Sequence, residues 1–385
     1  MKLVYISNPS FFDMDLTLTK ELFQQTDLYF FIDLPPYSRK STALDFKTTL
    51  NKAGIYPATL FDELKEFTDY IDLNRTLVIY RTSEKTYSAS NLLLQYKLAK
   101  AIQKLNPDVI HCNNFLHFNF TYFLFSNRIP KVLTVHDPLP HSGESSKKNI
   151  AIRKLNYRFF TNIILLNQSQ TEAFLEDSGK DPDNVYFSGL GSYSYLQKYN
   201  QENIYIKKKN QILIFGRISP YKGIEELCRA FSFVIKEFPD AKLIIAGSGE
   251  YNFNIITYQS SQNYFFINRY IPNAELVQLI QESQFVVCPY KDATQSGVVM
   301  TSFALDQPVI ATNVGGLKEM IIHNHTGLLI EPNNIPQLAE SIKWMFNNPN
   351  VMEKMRENIK ILNFSGNLSW NKIAEDLVSI YSKLK

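Results

Sequence analysis

The chain has 385 residues, 45% of them hydrophobic and 20% charged, which is the balance of a folded protein with enough length for two α/β domains. Its formal net charge of +3, with lysines and aspartates interspersed, excludes the concentrated basic face of a nucleic-acid binder. No apolar run approaches the roughly 20 residues needed to cross a bilayer, so any membrane contact would be peripheral.

The opening stretch, MKLVYISNPSFFDMD, lacks the apolar core and cleavage site of a signal peptide. Cys112, Cys228 and Cys288 end or sit inside apolar runs without metal spacing, and read as reduced core residues. Together these features predict a cytoplasmic protein. Two basic stretches, Lys207-Lys208-Lys209 and the set Lys147, Lys148, Arg153, Lys154 and Arg158, read as solvated surface, with a weak attraction to anionic headgroups as the sharper alternative.

In chain order, strands are predicted at Leu3–Ile6, Leu28–Ile32, Leu77–Tyr80, Val109–His111, Val132–Val135, Ile163–Leu166 and Val185–Phe187. An amphipathic helix is predicted at Asn91–Leu105. Runs that are apolar throughout suit strands covered by helices on both faces, the parallel α/β architecture. The polar, aperiodic segment Gln197–Gln211 reads as a linker, dividing an N-terminal domain of residues 1–200 from a second domain of 201–369. Alternation then restarts, with strands at Ile212–Phe215, Lys242–Ala246, Phe265–Ile267, Phe285–Cys288 and Val309–Ala311. Helices are predicted at Ile224–Lys236, Ala274–Glu282 and Gln337–Phe346, another runs to about Leu362, and Trp370–Leu384 closes the chain.

The densest chemistry lies in ILIFGRISPYKGIEEL, Ile212–Leu227. A strand ends at Phe215, Gly216 permits a tight turn, and a helix begins near Gly223. Ligands of doubly wound sheets bind at the carboxyl ends of strands, where this loop falls. Arg217 supplies a planar fork for phosphate oxygens and Lys222 a mobile point charge, a pair suited to gripping a diphosphate. In PYKDATQSGVVMTSFALDQPVIATNVGG, Gln295, Ser296, Gly297 and Val298 open an apolar helix whose N-terminus is a natural phosphate site. Ser296 also suits a plain N-cap.

His136 and Asp137, in LTVHDPLPHSG, end a strand of the first domain, where the imidazole could meet a sugar or a departing phosphate; a structural histidine is the competing reading. Arg269, Tyr270 and Ile271 follow another strand, at a place where backbone groups could meet a base, and Glu275 is expected to cap the next helix. The aromatic stretch Phe115–Phe125 reads as a buried helix, or as the lining of a lipid-linked acceptor site.

Taken in order, FGRISPYKG, AGSG, YIP, PY…QSG, PVIATNVGG and the closing SW-helix resemble the retaining glycosyltransferases of family 4. The resemblance implies a GT-B fold of two Rossmann-like domains facing each other across a cleft, with the last helix, 370–385, packing back on the first domain. It implies that Arg217 and Lys222 bind the donor's diphosphate, that the amides of Ser296, Gly297 and Val298 bind phosphate, and that His136 is the active-site histidine. The reaction implied is metal-independent sugar transfer with retention from a nucleotide-diphosphate sugar to a glycan or lipid-linked sugar, with no cofactor. Two features depart from the family. Its paired glutamates fall on Ala293 and Thr301, of which Thr301 could still hydrogen-bond a ribose, and Ser7–Asp15 stands where its glycine-rich N-terminal loop belongs. The loss of both glutamates motivates an alternative, a non-catalytic GT-B partner subunit that binds sugar or nucleotide.

Overall fold

The computed structural model describes residues 1–85, 88–113, 128–138, 147–200 and 205–384, so the aromatic stretch 115–125 lies outside the described residues. The chain forms two compact units, one of Met1–Leu190 with Trp370–Lys385, the other of Gly191–Ser369. The second unit begins ahead of the polar segment, because the turn Ser194–Tyr199 packs within it; the Gln197 side chain donates to the Ala304 carbonyl at 3.1 Å.

In the first unit, β1 (Lys2–Ser7), β2 (Asp27–Leu34), β3 (Gly54–Pro57), β4 (Thr76–Tyr80), β5 (Val109–Cys112), β6 (Lys131–Val135), β7 (Asn162–Leu165) and β8 (Val185–Phe187) form one sheet. Their order is β3-β4-β2-β1-β5-β6-β7-β8, parallel apart from β3, which runs antiparallel to β4. Among the described residues this part of the chain carries α1 (Phe12–Gln25), α2 (Ala89–Leu105), α3 (Lys147–Phe159) and α4 (Thr171–Ser178). Strand residues such as Val4, Ile6, Ile110 and Leu133 and helix residues such as Leu94, Leu98 and Phe174 are buried together in one core. The strand order reverses between β1 and β5, so Ser7, the last residue of β1, and Asn113, just past β5, lie beside each other.

The stretch 7–15 is not a loop throughout. Asn8 accepts from the Ser10 amide at 2.9 Å and caps a short turn, Pro9–Phe11, and α1 starts at Phe12, burying Phe12, Leu16 and Leu22. Its register also buries Asp15 completely.

The second unit holds β9 (Gln211–Phe215), β10 (Lys242–Gly247), β11 (Tyr264–Asn268), β12 (Phe285–Cys288), β13 (Val309–Thr312) and β14 (Gly327–Ile330). All are parallel, in the order β11-β10-β9-β12-β13-β14. Here α5 (Ile224–Val234), α6 (Asn273–Glu282), α7 (Gly297–Ala304), α8 (Ile335–Asn347) and α9 (Pro349–Ser365) accompany the sheet. Leu227, Phe231 and Val234 of α5 and Leu338, Ile342 and Met345 of α8 share a core with Ile212, Leu243 and Val287. That core follows from the 3.6-residue spacing of apolar side chains along both helices.

The closing helix α10 (Trp370–Lys383) belongs to the first unit and packs against α1. Its Tyr381 hydroxyl lies 2.5 Å from His111 Nδ1, while His111 Nε2 lies 2.7 Å from the Thr134 hydroxyl. Burial pushes the His111 pKa down to about 3, with His136 acting in the same direction, so this imidazole is neutral at physiological pH.

Candidate functional site

In the second unit the strand order reverses at β9 and β12, the position where open α/β sheets bind ligands. Beyond β9 the chain passes through Gly216 and Arg217 into the turn Pro220–Lys222, then Gly223 and α5. Beyond β12 it reaches Ser296 and α7. The two loops are tied together. Gly223 has φ +67°, and a Cβ there would lie 2.0 Å from the Pro289 carbonyl oxygen. The Lys291 amide donates to the Tyr221 carbonyl at 2.7 Å, and Tyr221 and Tyr290 meet edge-on with centroids 5.8 Å apart.

Lys222 is buried, at 5% exposure. Its ammonium lies 3.4 Å from the Phe215 carbonyl oxygen and 5.1 Å from the Tyr290 ring centroid. A Cβ placed on Gly216 would meet Lys222 Nζ at 2.8 Å and Val298 Cγ2 at 3.4 Å, so the ammonium and the first turn of α7 flank the same piece of backbone. Burial pushes the Lys222 pKa down to about 8; the nearby Cys288 acts upward and the Arg217 charge downward. Arg217 itself is exposed. The Ser296 hydroxyl accepts from the Val299 amide at 3.4 Å, which makes Ser296 the N-cap, while the first-turn amides of Gly297 and Val298 add the positive end of the helix dipole. Two cations and a helix N-terminus therefore gather at one strand reversal, an arrangement that stabilises a multiply charged anion.

Among the other residues singled out from the sequence, Thr301 lies further along α7 and is buried, and Gln295 is half-buried. Ala293 is also buried. Its carbonyl accepts from the Gly316 amide at 3.1 Å, and Gly315, at φ +46°, brings its backbone so close that a Cβ would lie 1.7 Å from that same oxygen. Tyr270, 44% exposed, and the half-buried Ile271 follow β11, two strands from β9 and hence about 10 Å to the side. Glu275 does not cap α6 as the sequence suggests. Its carboxylate instead takes two hydrogen bonds from Arg269, at 2.8 and 2.5 Å, because a guanidinium fork six residues upstream competes better than a main-chain amide.

In the first unit His136 follows β6 and is half-buried. Its Nε2 lies 3.0 Å from the Asn113 carbonyl oxygen and 3.1 Å from Asn113 Oδ1, and the Phe11 ring lies over it at 4.3 Å and 30°. Arg153, one of the basic residues read as surface, donates to the Pro138 carbonyl at 2.6 Å and holds the loop. Burial pushes the His136 pKa down to about 4 against the opposing pull of Asp137 and the Asn113 carbonyl. The imidazole is neutral at physiological pH.

Sequence reasoning missed Asp15, Asn113 and Tyr290. The one available signal was an aspartate set among Phe12, Met14, Leu16 and Leu18 in an apolar helix. The sequence contains two Asp-x-Asp triplets, Asp13-Met14-Asp15 and Asp181-Pro182-Asp183. Asp15 points into the core while Asp13 accepts from the Thr42 hydroxyl at 2.5 Å, and Asp181 caps a short turn by accepting from the Asp183 amide, so the buried Asp15 gives the first triplet no exposed carboxylate pair.

Residues 197–362 match the family model described as glycosyl transferases group 1, and residues 43–187 match glycosyltransferase family 4. An uncharacterised glycosyltransferase of Methanocaldococcus jannaschii is 26% identical over 297 residues, covering 71% of this chain and 75% of its own. The capsular polysaccharide biosynthesis glycosyltransferase CapM of Staphylococcus aureus is 25% identical over 243 residues, 58% of this chain and 61% of its own. The crystal structure of HepE of Anabaena in complex with UDP-glucose shares the fold over 100% of both chains, with TM-score 0.66 and 16% identity.

Proposed function

We infer the reaction from the premise that this chain belongs to the group 1/family 4 glycosyltransferases: it moves a sugar from a nucleotide-diphosphate sugar to a glycan or lipid-linked sugar, with retention of configuration and no divalent metal. The observation that carries this reading is the meeting of Lys222 Nζ and the α7 N-terminus at the Gly216 turn. Cleavage of a glycosyl phosphate leaves negative charge on the diphosphate while the sugar takes on oxocarbenium character. Lys222, Arg217 and the amides of Gly297 and Val298 meet that charge where it develops, the term that usually dominates catalysis. These groups supply the positive charge that a divalent ion would otherwise bring, so turnover persists in EDTA. Tyr270 and Ile271 are the residues read as meeting the base, and Gln295 and Thr301 offer neutral hydrogen bonds, Thr301 at one of the two positions where the family carries glutamate. The UDP-glucose complex of the Anabaena protein supports a nucleotide-sugar donor, and the capsular relative supports a polysaccharide or glycolipid acceptor.

Slow donor hydrolysis across a panel of nucleotide sugars tests the reading. At least one donor is turned over by the wild type, and Arg217→Ala lowers that rate by about 100-fold or more. The absence of carboxylates at Ala293 and Thr301 favours the second reading, a non-catalytic partner subunit. Turnover of no donor by the folded protein, with or without nucleotide binding, would select it.

Binding also carries a pH signature. Free Lys222 loses its proton near pH 8, and a bound diphosphate raises that value, so binding takes up a proton above pH 8. For an intact nucleotide sugar, whose diphosphate does not titrate in this range, affinity is therefore flat from pH 6 to 7 and falls by up to about tenfold per unit above 8, measured by calorimetry. In Lys222→Met the affinity is lower and this slope is gone.

A further inference from the structure

Asp15 is fully buried, yet its carboxylate is engaged by three donors. The Tyr5 hydroxyl donates to Oδ1 at 2.6 Å, the Asn113 amide nitrogen donates to Oδ1 at 2.7 Å, and the Ser7 hydroxyl donates to Oδ2. Tyr5 and Ser7 come from β1, Asn113 from the end of β5, and Asp15 from α1, so the cluster sits at the strand reversal of the first unit. Burial pushes the Asp15 carboxyl up to about 7 while the three donors hold it down, and the neighbouring Asp13 adds a smaller repulsion.

The geometry reaches His136 through Asn113. Asp15 Oδ1 accepts whether the group is ionised or carries its proton on Oδ2 beside Ser7, so it takes the amide nitrogen of Asn113 and turns the Asn113 Oδ1 toward the imidazole. The Asn113 main-chain oxygen, 3.0 Å from the same Nε2, can also only accept. Nε2 must therefore carry the hydrogen, and a neutral ring then has its lone pair at Nδ1.

We propose that Asp15 and Asn113 are positioning residues that lock His136 in the Nε2–H tautomer, so that Nδ1 accepts a hydrogen bond from a sugar hydroxyl. This rests on the sugar-transfer reading above and sharpens it, because a neutral acceptor selects a hydroxyl and turns away a phosphate oxygen. Asp15 serves to orient the Asn113 amide. The main-chain oxygen holds the imidazole in either case.

The test uses full-length protein with its six histidines labelled with nitrogen-15, whose long-range proton–nitrogen correlations report each tautomer. His136→Gln identifies the relevant signals, and the His111 signal, fixed by Tyr381 and Thr134, shows that the unit is folded. Wild-type His136 is expected as a single Nε2–H tautomer at pH 7. In Asp15→Asn the new amide lets Asn113 flip, and His136 becomes a tautomer mixture. Asn113→Ser keeps the Nε2–H form through the main-chain oxygen. In Asp15→Asn kcat falls roughly 10-fold or more, the scale for losing a group that orients a functional imidazole, with KM for the donor within about 2-fold, while Asn113→Ser, which keeps the tautomer, holds kcat within about 2-fold. A wild-type Nδ1–H tautomer or imidazolium at pH 7, or a folded Asp15→Asn with an unchanged tautomer, overturns the proposal. If Asp15→Asn fails to fold, the wild-type tautomer decides alone, and an Nδ1–H ring or imidazolium at pH 7 overturns the proposal. Should the tautomers behave as expected while no nucleotide sugar binds or turns over, the network stands and the sugar-transfer reading falls.

Discussion

Replacing Lys222 with methionine is expected to lower donor turnover by about 100- to 1000-fold, the cost of losing one preorganised charge on a developing oxyanion, while making the nucleotide-free protein more stable. Both effects have one cause. The ammonium is buried in the wall of its own unit, with a carbonyl oxygen and an aromatic face as its polar neighbours and Arg217 repelling it. A lysine whose pKa falls from 10.5 to about 8 is held at a free-energy cost near 3 kcal/mol when charged, at about 1.36 kcal/mol per unit. The sign follows from proton counting. Between pH 8 and 10.5 the unfolded chain binds more protons than the folded one, so wild-type stability rises with pH through that window. Methionine fills similar volume without charge, so the variant gains up to about 3 kcal/mol at pH 7 and loses the rise. Denaturant melts of the second unit at pH 7 and 10, alongside hydrolysis rates, check both halves. Lower stability with intact turnover would show that Lys222 is a structural residue.

The second unit was largely legible in the sequence because its strands are buried on both faces and its loops carry glycine, proline and paired cations at the strand ends. Ile212–Phe215, Phe285–Cys288 and the start of α7 at Ser296-Gly297 fall within a residue or so of their expected places. The same logic failed for β3 and β14. β3 has Gly54 and Pro57 at its ends and β14 opens on Gly327, residues that read as turns, so each takes its place from pairing with a neighbour. It failed for α1 because four polar residues, Asp13, Asp15, Thr17 and Thr19, alternate with the apolar ones, and Asp15 is buried for a polar reason. The network behind His136 was illegible for a different cause. Asp15 and Asn113 lie 98 positions apart and meet only because β1 and β5 are neighbours, a fact of topology rather than of local spacing.

Topology also sets the largest stability effect expected. Gly223 and Gly179 have nearly the same backbone, φ +67° and +63°, yet alanine at the two sites should behave very differently. At Gly179, which ends α4, nothing lies within 4 Å of the new Cβ, so the substitution carries only the left-handed penalty of about 1–2 kcal/mol. At Gly223 the Cβ would sit 2.0 Å from the Pro289 carbonyl oxygen. That oxygen belongs to the loop leading to α7, which cannot yield without separating Tyr290 from Lys222 and the Lys291 amide from Tyr221. Gly223→Ala should therefore lower stability by at least about 3 kcal/mol, beyond the range of ordinary surface substitutions. Nucleotide binding should fall with it, because the two loops that gather the positive charge would part. Gly179→Ala should bind nucleotide as the wild type does. Equal destabilisation by the two alanines in parallel denaturant melts would mean that backbone conformation, rather than the contact between the loops, fixes the geometry of the site.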